Sequence, residues 1–183
     1  MTTPSHPAIT RPPEQHRITR GAMSLRPTTS ADLDFVVAVE RHPDNAAHVE
    51  QWTSDWHRQA LERPSTRHWI IEHTGHAVGY ALLEGADDPN ASLLLRRIAI
   101  VSKGHGHGRA AVLLVARYCF EELGFHRLWL TVAPGNRRAL NLYRRLGFVK
   151  EGIARESVRK GDTFVSMHVF SMLDREYRAS PQL

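Results

Sequence analysis

Residues 101–112 read VSKGHGHGRAAV, with glycine at 104, 106 and 108 just ahead of a helix-forming run. Glycine loses more backbone freedom on folding than any other residue, so three at one junction call for a reason. Two reasons are open: a flexible loop, or a backbone that must come close to a ligand. Upstream, SLLLRRIAIV (92–101) has the branched apolar content of a strand. Downstream of Arg109, the residues Val112, Ala116, Cys119, Phe120 and Leu123 recur at helical spacing, and Gly124 is a natural stop. A strand, a glycine loop and a helix in that order suit an anion. The first N–H groups of a helix lack partners, and the helix dipole is positive there.

The flanking sequence extends this unit. RHWIIEH (67–73) and HAVGYALLE (76–84) read as strands joined by a tight turn at Thr74-Gly75, followed by a polar loop over 85–90. RLWLTV (127–132) is a further strand. PGNRRALNLYRRLGF (134–148) holds a helix capped by Asn136 and ended by Gly147. EGIARESVRKGDTFVSMHVFSML (151–173) is a hairpin turning at Lys160-Gly161-Asp162. On the other side, MSLRPTTSADLDFVVAVE (23–40) predicts a short strand and a helix, with Ser30 as N-cap and Asp32 and Asp34 in the first turn. A second helix is expected from Val49 to Arg63, stopping at Pro64. Residues 1–22 hold four prolines and few large apolar side chains, so a disordered tail is expected there. The domain then runs over 23–178, with a short tail at 179–183.

At 183 residues, 42% apolar and 23% charged, the chain has an ordinary globular composition and enough length for a full core. No apolar run approaches the ~20 residues of a membrane span, and no hydrophobic secretory segment opens the chain. Cys119 is the single cysteine, which excludes an internal disulfide and fits a reducing compartment, so a cytoplasmic location is expected. Its place in the helical stripe makes it a core thiol. The formal charge of +5 raises nucleic-acid binding as a candidate. The basic residues are dispersed, however, and the cluster Arg137, Arg138, Arg144 and Arg145 reads equally as a solvated face or a phosphate-ligand site. A single-strand binder would interleave aromatic residues there, and only Tyr143 is present. Twelve histidines show no His-x-x-x-His spacing, so no metal is expected.

Gly106 to Ala111 matches the dinucleotide pattern G-x-G-x-x-A, but that reading needs an acid at the end of the next strand. Here Thr131-Val132-Ala133-Pro134-Gly135 supplies none, and no G-K-[ST] follows to make a Walker loop. The stretch Lys103-Gly104-His105-Gly106-His107-Gly108 instead resembles the Q/R-x-x-G-x-G/A loop of the GNAT superfamily of acyl-CoA-dependent N-acyltransferases, with lysine at the first position. Asn136, Tyr143 and Gly147-Phe148 stand in the register of that superfamily's second helix. The resemblance covers about residues 24–177. LGFHRLWLTVAPGNRRALNLYRRLGFVKEG (123–152) looks closest to the ribosomal-protein N-acetyltransferase-like branch.

The resemblance implies an α/β fold: one domain with a central, partly splayed mixed sheet flanked by helices. It implies acetyl-CoA as cosubstrate, lying in a slot between the RRIAI strand and its parallel neighbour. Backbone groups of Ile98, Ala99 and Ile100 would pair with the pantetheine, their N–H groups polarising the thioester carbonyl. Amides of His105, Gly106, His107, Gly108, Arg109 and Ala110 would hold the pyrophosphate, with Lys103 or Arg109 adding charge. Asn136 would touch the pantetheine or simply cap its helix. Tyr143 would protonate the departing thiolate, or else fill the core. His105 and His107 could be bases or metal ligands, but loop filler is the stronger reading. Related sequences often carry a glutamate at the position matched here by Leu94, which cannot take a proton. Glu72, Glu84 or a water chain would substitute, or the acceptor is a less basic amine. The expected function is acetyl transfer to a primary amine, either a small molecule or a protein N-terminus. The alternative is a non-catalytic acyl-CoA-binding or regulatory domain. A homodimer is compatible with either.

Overall fold

Branched and aromatic runs pair into one eight-stranded sheet across the described residues, 15–101 and 103–180 of a computed structural model. The strands are β1 (Ile18–Arg20), β2 (Met23–Pro27), β3 (Arg67–His73), β4 (His76–Glu84), β5 (Ser92–Ile100), β6 (Arg127–Val132), β7 (Val149–Lys160) and β8 (Thr163–Leu173). Their spatial order is β1-β2-β3-β4-β5-β6-β8-β7. Every neighbouring pair is antiparallel except β5 and β6. A parallel pair needs a crossover, and the glycine loop with α4 (His107–Arg117) supplies it, followed by a π-helical turn over Tyr118–Glu122.

Two apolar layers sandwich the sheet. On one face α4 buries Val112, Leu113 and Val115 against Leu25, Trp69, Ile71 and Leu83, and α5 (Arg137–Arg145) adds Leu140 and Tyr143. On the other face, Val36 and Val39 of α1 (Leu33–Arg41) and Ala60 of α3 (Ser54–Glu62) cover Ile70, Tyr80 and Leu82. The strand, turn and hairpin boundaries expected from Arg67 onward match the structure closely. Cys119 is fully buried, which pushes its thiol pKa up and leaves it inert.

Several expectations need correction. Ser30 does not cap α1: Thr29 and Asp32 form a capping box around a short 3₁₀ turn (Ser30–Asp32), and Arg26 grips Asp32 with two bonds of 2.7 Å. The helix expected over 49–63 is shorter. It is preceded by α2 (Pro43–Ala46), and Thr53 caps α3 by accepting from Trp56 N. At the C-terminus α6 (Asp174–Ala179) carries ordered structure past residue 178.

The N-terminal tail expected over 1–22 reaches too far; residues 1–14 of it lie outside the described residues. Ile18–Arg20 pairs with Met23–Leu25, Ile18 is buried, and Arg17 ion-pairs with Glu72. A three-residue strand has almost no sequence signature, because its partner supplies its stability. Deleting residues 1–20 is therefore expected to destabilise the domain. Burying Ile18 alone is worth about 1.5–3 kcal/mol, or several degrees of Tm in a chain of this size. Differential scanning calorimetry reads this directly, and an unchanged Tm would make β1 ornamental.

Candidate active site

The site is a place where the sheet comes apart. β5 and β6 pair only over Ser92–Leu94 and Arg127–Trp129. Beyond Trp129, β6 continues paired to β8 while β5 continues paired to β4, so the two strands diverge. The divergence coincides with a bulge in β5. Leu83 stands opposite Leu95 but Leu82 opposite Arg97, leaving Arg96 as an extra residue. The opening is a cavity of about 1280 Å³. Its walls are the free edge of β5, the end of β6, the glycine loop with the start of α4, the inner face of α5, and the segment Pro43–Glu50.

At the loop end, Gly104 (φ +88°) and Gly106 (φ +78°) adopt left-handed conformations that other residues resist. Gly106 caps α4, and the first intrahelical bond runs from Ala110 N to Gly106 O at 3.0 Å. The amides of His107, Gly108 and Arg109 thus have no partner within the helix. Gly108 has an ordinary φ, and a Cβ there would meet only ordinary contacts, Ile100 at 3.8 Å and Leu142 at 3.9 Å. The backbone needs glycine at 104 and 106; at 108 glycine keeps the cavity wall bare. Arg109, Arg137, Arg138 and Arg145 line the same cavity. Lys103 Nζ donates to Ile100 O at 2.7 Å and to Asn45. Burial, reinforced by Arg138, lowers the lysine's pKa.

Of the residues expected to hold the cosubstrate, Ile98, Ile100, Lys103, Gly106, His107, Gly108, Arg109 and Asn136 line this cavity, as does Tyr143. Asn136 caps α5, accepting from Ala139 N at 3.1 Å. Tyr143, about two turns on from Asn136 along α5, is buried edge-on against Phe148 at 5.5 Å. Burial alone raises its pKa well above the ordinary 10.0, so it keeps its proton at neutral pH. Three expected residues are not among the cavity-lining ones. Ala99 turns its side chain to the α1 face beside Tyr80, and Ala110 packs on the core. His105 stacks on His107 at 5.7 Å, with His73 at 4.8 Å on the other ring. Burial, then those two neighbours, lowers the His107 pKa.

Neither substitute base fits. Glu72 is held by Arg17, Arg26 and Ser24 on β3; burial pushes its pKa up, but those hydrogen bonds outweigh it. Glu84 lies 3.9 Å from Arg96, and neither glutamate is among the cavity-lining residues. Leu94 pairs with Trp129 below the point of divergence.

A polar network behind the cavity had no sequence signal. Glu40 on α1 is fully buried and accepts from Trp52 N at 2.7 Å, from Tyr80 Oη and from Arg97 at 3.2 Å. His57 Nε2 lies 3.3 Å from Glu40, and His57 Nδ1 lies 3.1 Å from His68 Nε2. Burial pushes the Glu40 pKa up, yet these hydrogen bonds and the Arg97 charge together hold it below 4.5. Burial, then the His57 charge, depresses His68 to about 3. Arg97 lies flat on Trp52, 3.4 Å from the ring centroid, and reaches the cavity side to bind Glu50 Oε2 at 3.1 Å.

The model of the acetyltransferase (GNAT) family matches residues 33–148. A prophage-derived N-acetyltransferase of Bacillus subtilis is 25% identical over 124 residues, 67% of this chain and 70% of its own length. Spermidine N(1)-acetyltransferase of Escherichia coli is 27% identical over 144 residues, 72% of this chain and 75% of its own. A GCN5-related N-acetyltransferase from Brucella melitensis superposes with a TM-score of 0.79 at 21% identity, covering 92% of this chain and 83% of that one. That last likeness establishes a shared fold.

Proposed function

The chain belongs to the GNAT family of acetyltransferases, and from that premise we propose that its split-sheet cavity takes acetyl-CoA and passes the acetyl group to a primary amine by direct attack. The observation that carries the reading is the junction of β5 with α4. Unpaired strand edge, left-handed glycines, bare wall and orphan amides meet there on one side of one cavity.

Acetyl-CoA brings an acyl group already activated as a thioester. The chain's own groups do the rest. The amides of His107 to Arg109, aided by the α4 dipole and by Lys103 and Arg109, suit a pyrophosphate. The edge of Ile98 to Ile100, apart from the Ile100 carbonyl already bound by Asn45 and Lys103, offers strand-like hydrogen bonds to the pantetheine, and its N–H groups suit a developing oxyanion. Asn136 reaches the same wall while capping α5. Tyr143 Oη carries the proton that a departing thiolate needs. A domain that only binds would have no use for a protonated phenol at this wall, which favours the enzyme over the binding-only alternative.

The test is binding first. Acetyl-CoA at 100 times its Kd is expected to stabilise the fold by about 2.7 kcal/mol, seen as a raised Tm. Gly108→Val is expected to abolish that rise while leaving the Tm without ligand nearly unchanged, because added bulk meets ordinary contacts and projects into the cavity. A valine variant that still responds to acetyl-CoA would dissolve the assignment of the loop.

A further inference from the structure

The cavity lining includes Lys103, Arg109, Arg137, Arg138 and Arg145, and two carboxylates: Asp44, whose charge acts on Lys103, and Glu50. The arginines near Glu50 are already engaged. Arg96 faces Glu84 at 3.9 Å, and Arg97 sits between buried Glu40 at 3.2 Å and Glu50 at 3.1 Å. Glu40, Arg97 and Glu50 together carry one net negative charge. The Arg97 charge is shared between the two carboxylates, and of the three side chains only that of Glu50, 60% exposed, is open to an incoming cation. Arg97 also binds the Glu50 backbone carbonyl, and its stacking on Trp52 fixes the guanidinium. Glu50 is therefore a positioned carboxylate on the cavity wall. His48 also lines the cavity, and Lys160 Nζ donates to Ala47 O at 3.4 Å nearby in the chain.

Resting on the acetyl-transfer reading, we propose that Glu50, positioned through Arg97 by Glu40, binds a cationic group of the acceptor, and that the acceptor carries a positive charge besides the nitrogen that is acetylated. The attacking nitrogen must be neutral when it attacks. A lasting ion pair with Glu50 thus belongs to a second group, such as the far ammonium of a diamine.

Two acceptor probes of matched length separate the charge from the chain: 1,4-diaminobutane and n-pentylamine. Acetylation is followed by thiol release, and binding to the CoA-loaded protein by calorimetry. The wild-type protein is expected to favour the diamine at least about tenfold in kcat/KM, and Glu50→Gln to bring that ratio near one through KM. Glu40→Gln is expected to lower the ratio as well, since it loosens Arg97. A ratio that persists in Glu50→Gln, or wild-type protein binding the two probes equally, overturns the proposal. If neither probe is acetylated but the diamine still binds better and loses that advantage in Glu50→Gln, the Glu50 site stands and the transfer reading falls.

Discussion

Tyr143→Phe is expected to lower kcat by about 10²-fold, the lower range for a general acid, with acetyl-CoA affinity nearly unchanged. The substitution removes one oxygen from a ring already buried against Phe148, so the fold has little to lose. Because burial holds the Tyr143 pKa far above neutrality, the wild-type phenol stays protonated across the accessible pH range. The thiol it serves does not: thiols ionise in the alkaline range, a cysteine thiol at about 8.5. The deficit of the phenylalanine variant should thus shrink as pH rises past that point, where thiolate departs unaided. A tyrosine that merely packs predicts the reverse, an altered Tm with turnover per folded molecule intact. An unchanged kcat from pH 6 to 9 removes Tyr143 from the chemistry.

Glu40→Leu is expected to cost about 3–5 kcal/mol of stability, the usual range for removing one partner of a buried ion pair. Glu40 collects Arg97, Tyr80 and the Trp52 amide at zero exposure, and leucine would leave those donors without an acceptor. Pairing it with Arg97→Leu should recover part of the loss, since two apolar side chains leave fewer stranded groups. Urea melts of the four proteins read the cycle. The pH dependence has a definite sign. The Glu40 pKa is lower folded than the ordinary 4.5, so its contribution is complete above that value and fades as pH falls through the folded pKa. The gap between wild type and Glu40→Leu should close only in acid. A single-variant cost below about 1 kcal/mol would mean the network is slack.

The strands from Arg67 to Val132 were legible because branched runs bounded by glycine or polar turns leave few alternatives. The Asn136 cap was legible for the same local reason. β1 and α2 were not, being too short to carry a period and dependent on distant partners. The Glu40 network assembles residues 40, 57, 68, 80 and 97 from five elements, and no spacing rule links them. Glu50 was missed because an isolated glutamate in a polar stretch looks like solvated surface until Arg97 arrives from 47 positions away. The left-handed glycines fell between: their number asked the question, while the bare wall at Gly108 required coordinates.

The extra residue at Arg96 acts as a parity change in the chain. Before it, odd positions Leu93 and Leu95 face the α4 layer; after it, even positions Ile98 and Ile100 do, and Arg97 and Ala99 face α1. A strict alternation would have driven the Arg97 guanidinium into the apolar layer with Leu95. Any sequence comparison that slides a one-residue gap across 95–97 will therefore exchange a residue of the α4-facing layer with a buried ion-pair residue. For an engineer the same fact is a warning. A substitution along this strand alters one face at one place, but a single insertion or deletion inside it reverses the inside and outside of everything that follows, up to the glycines.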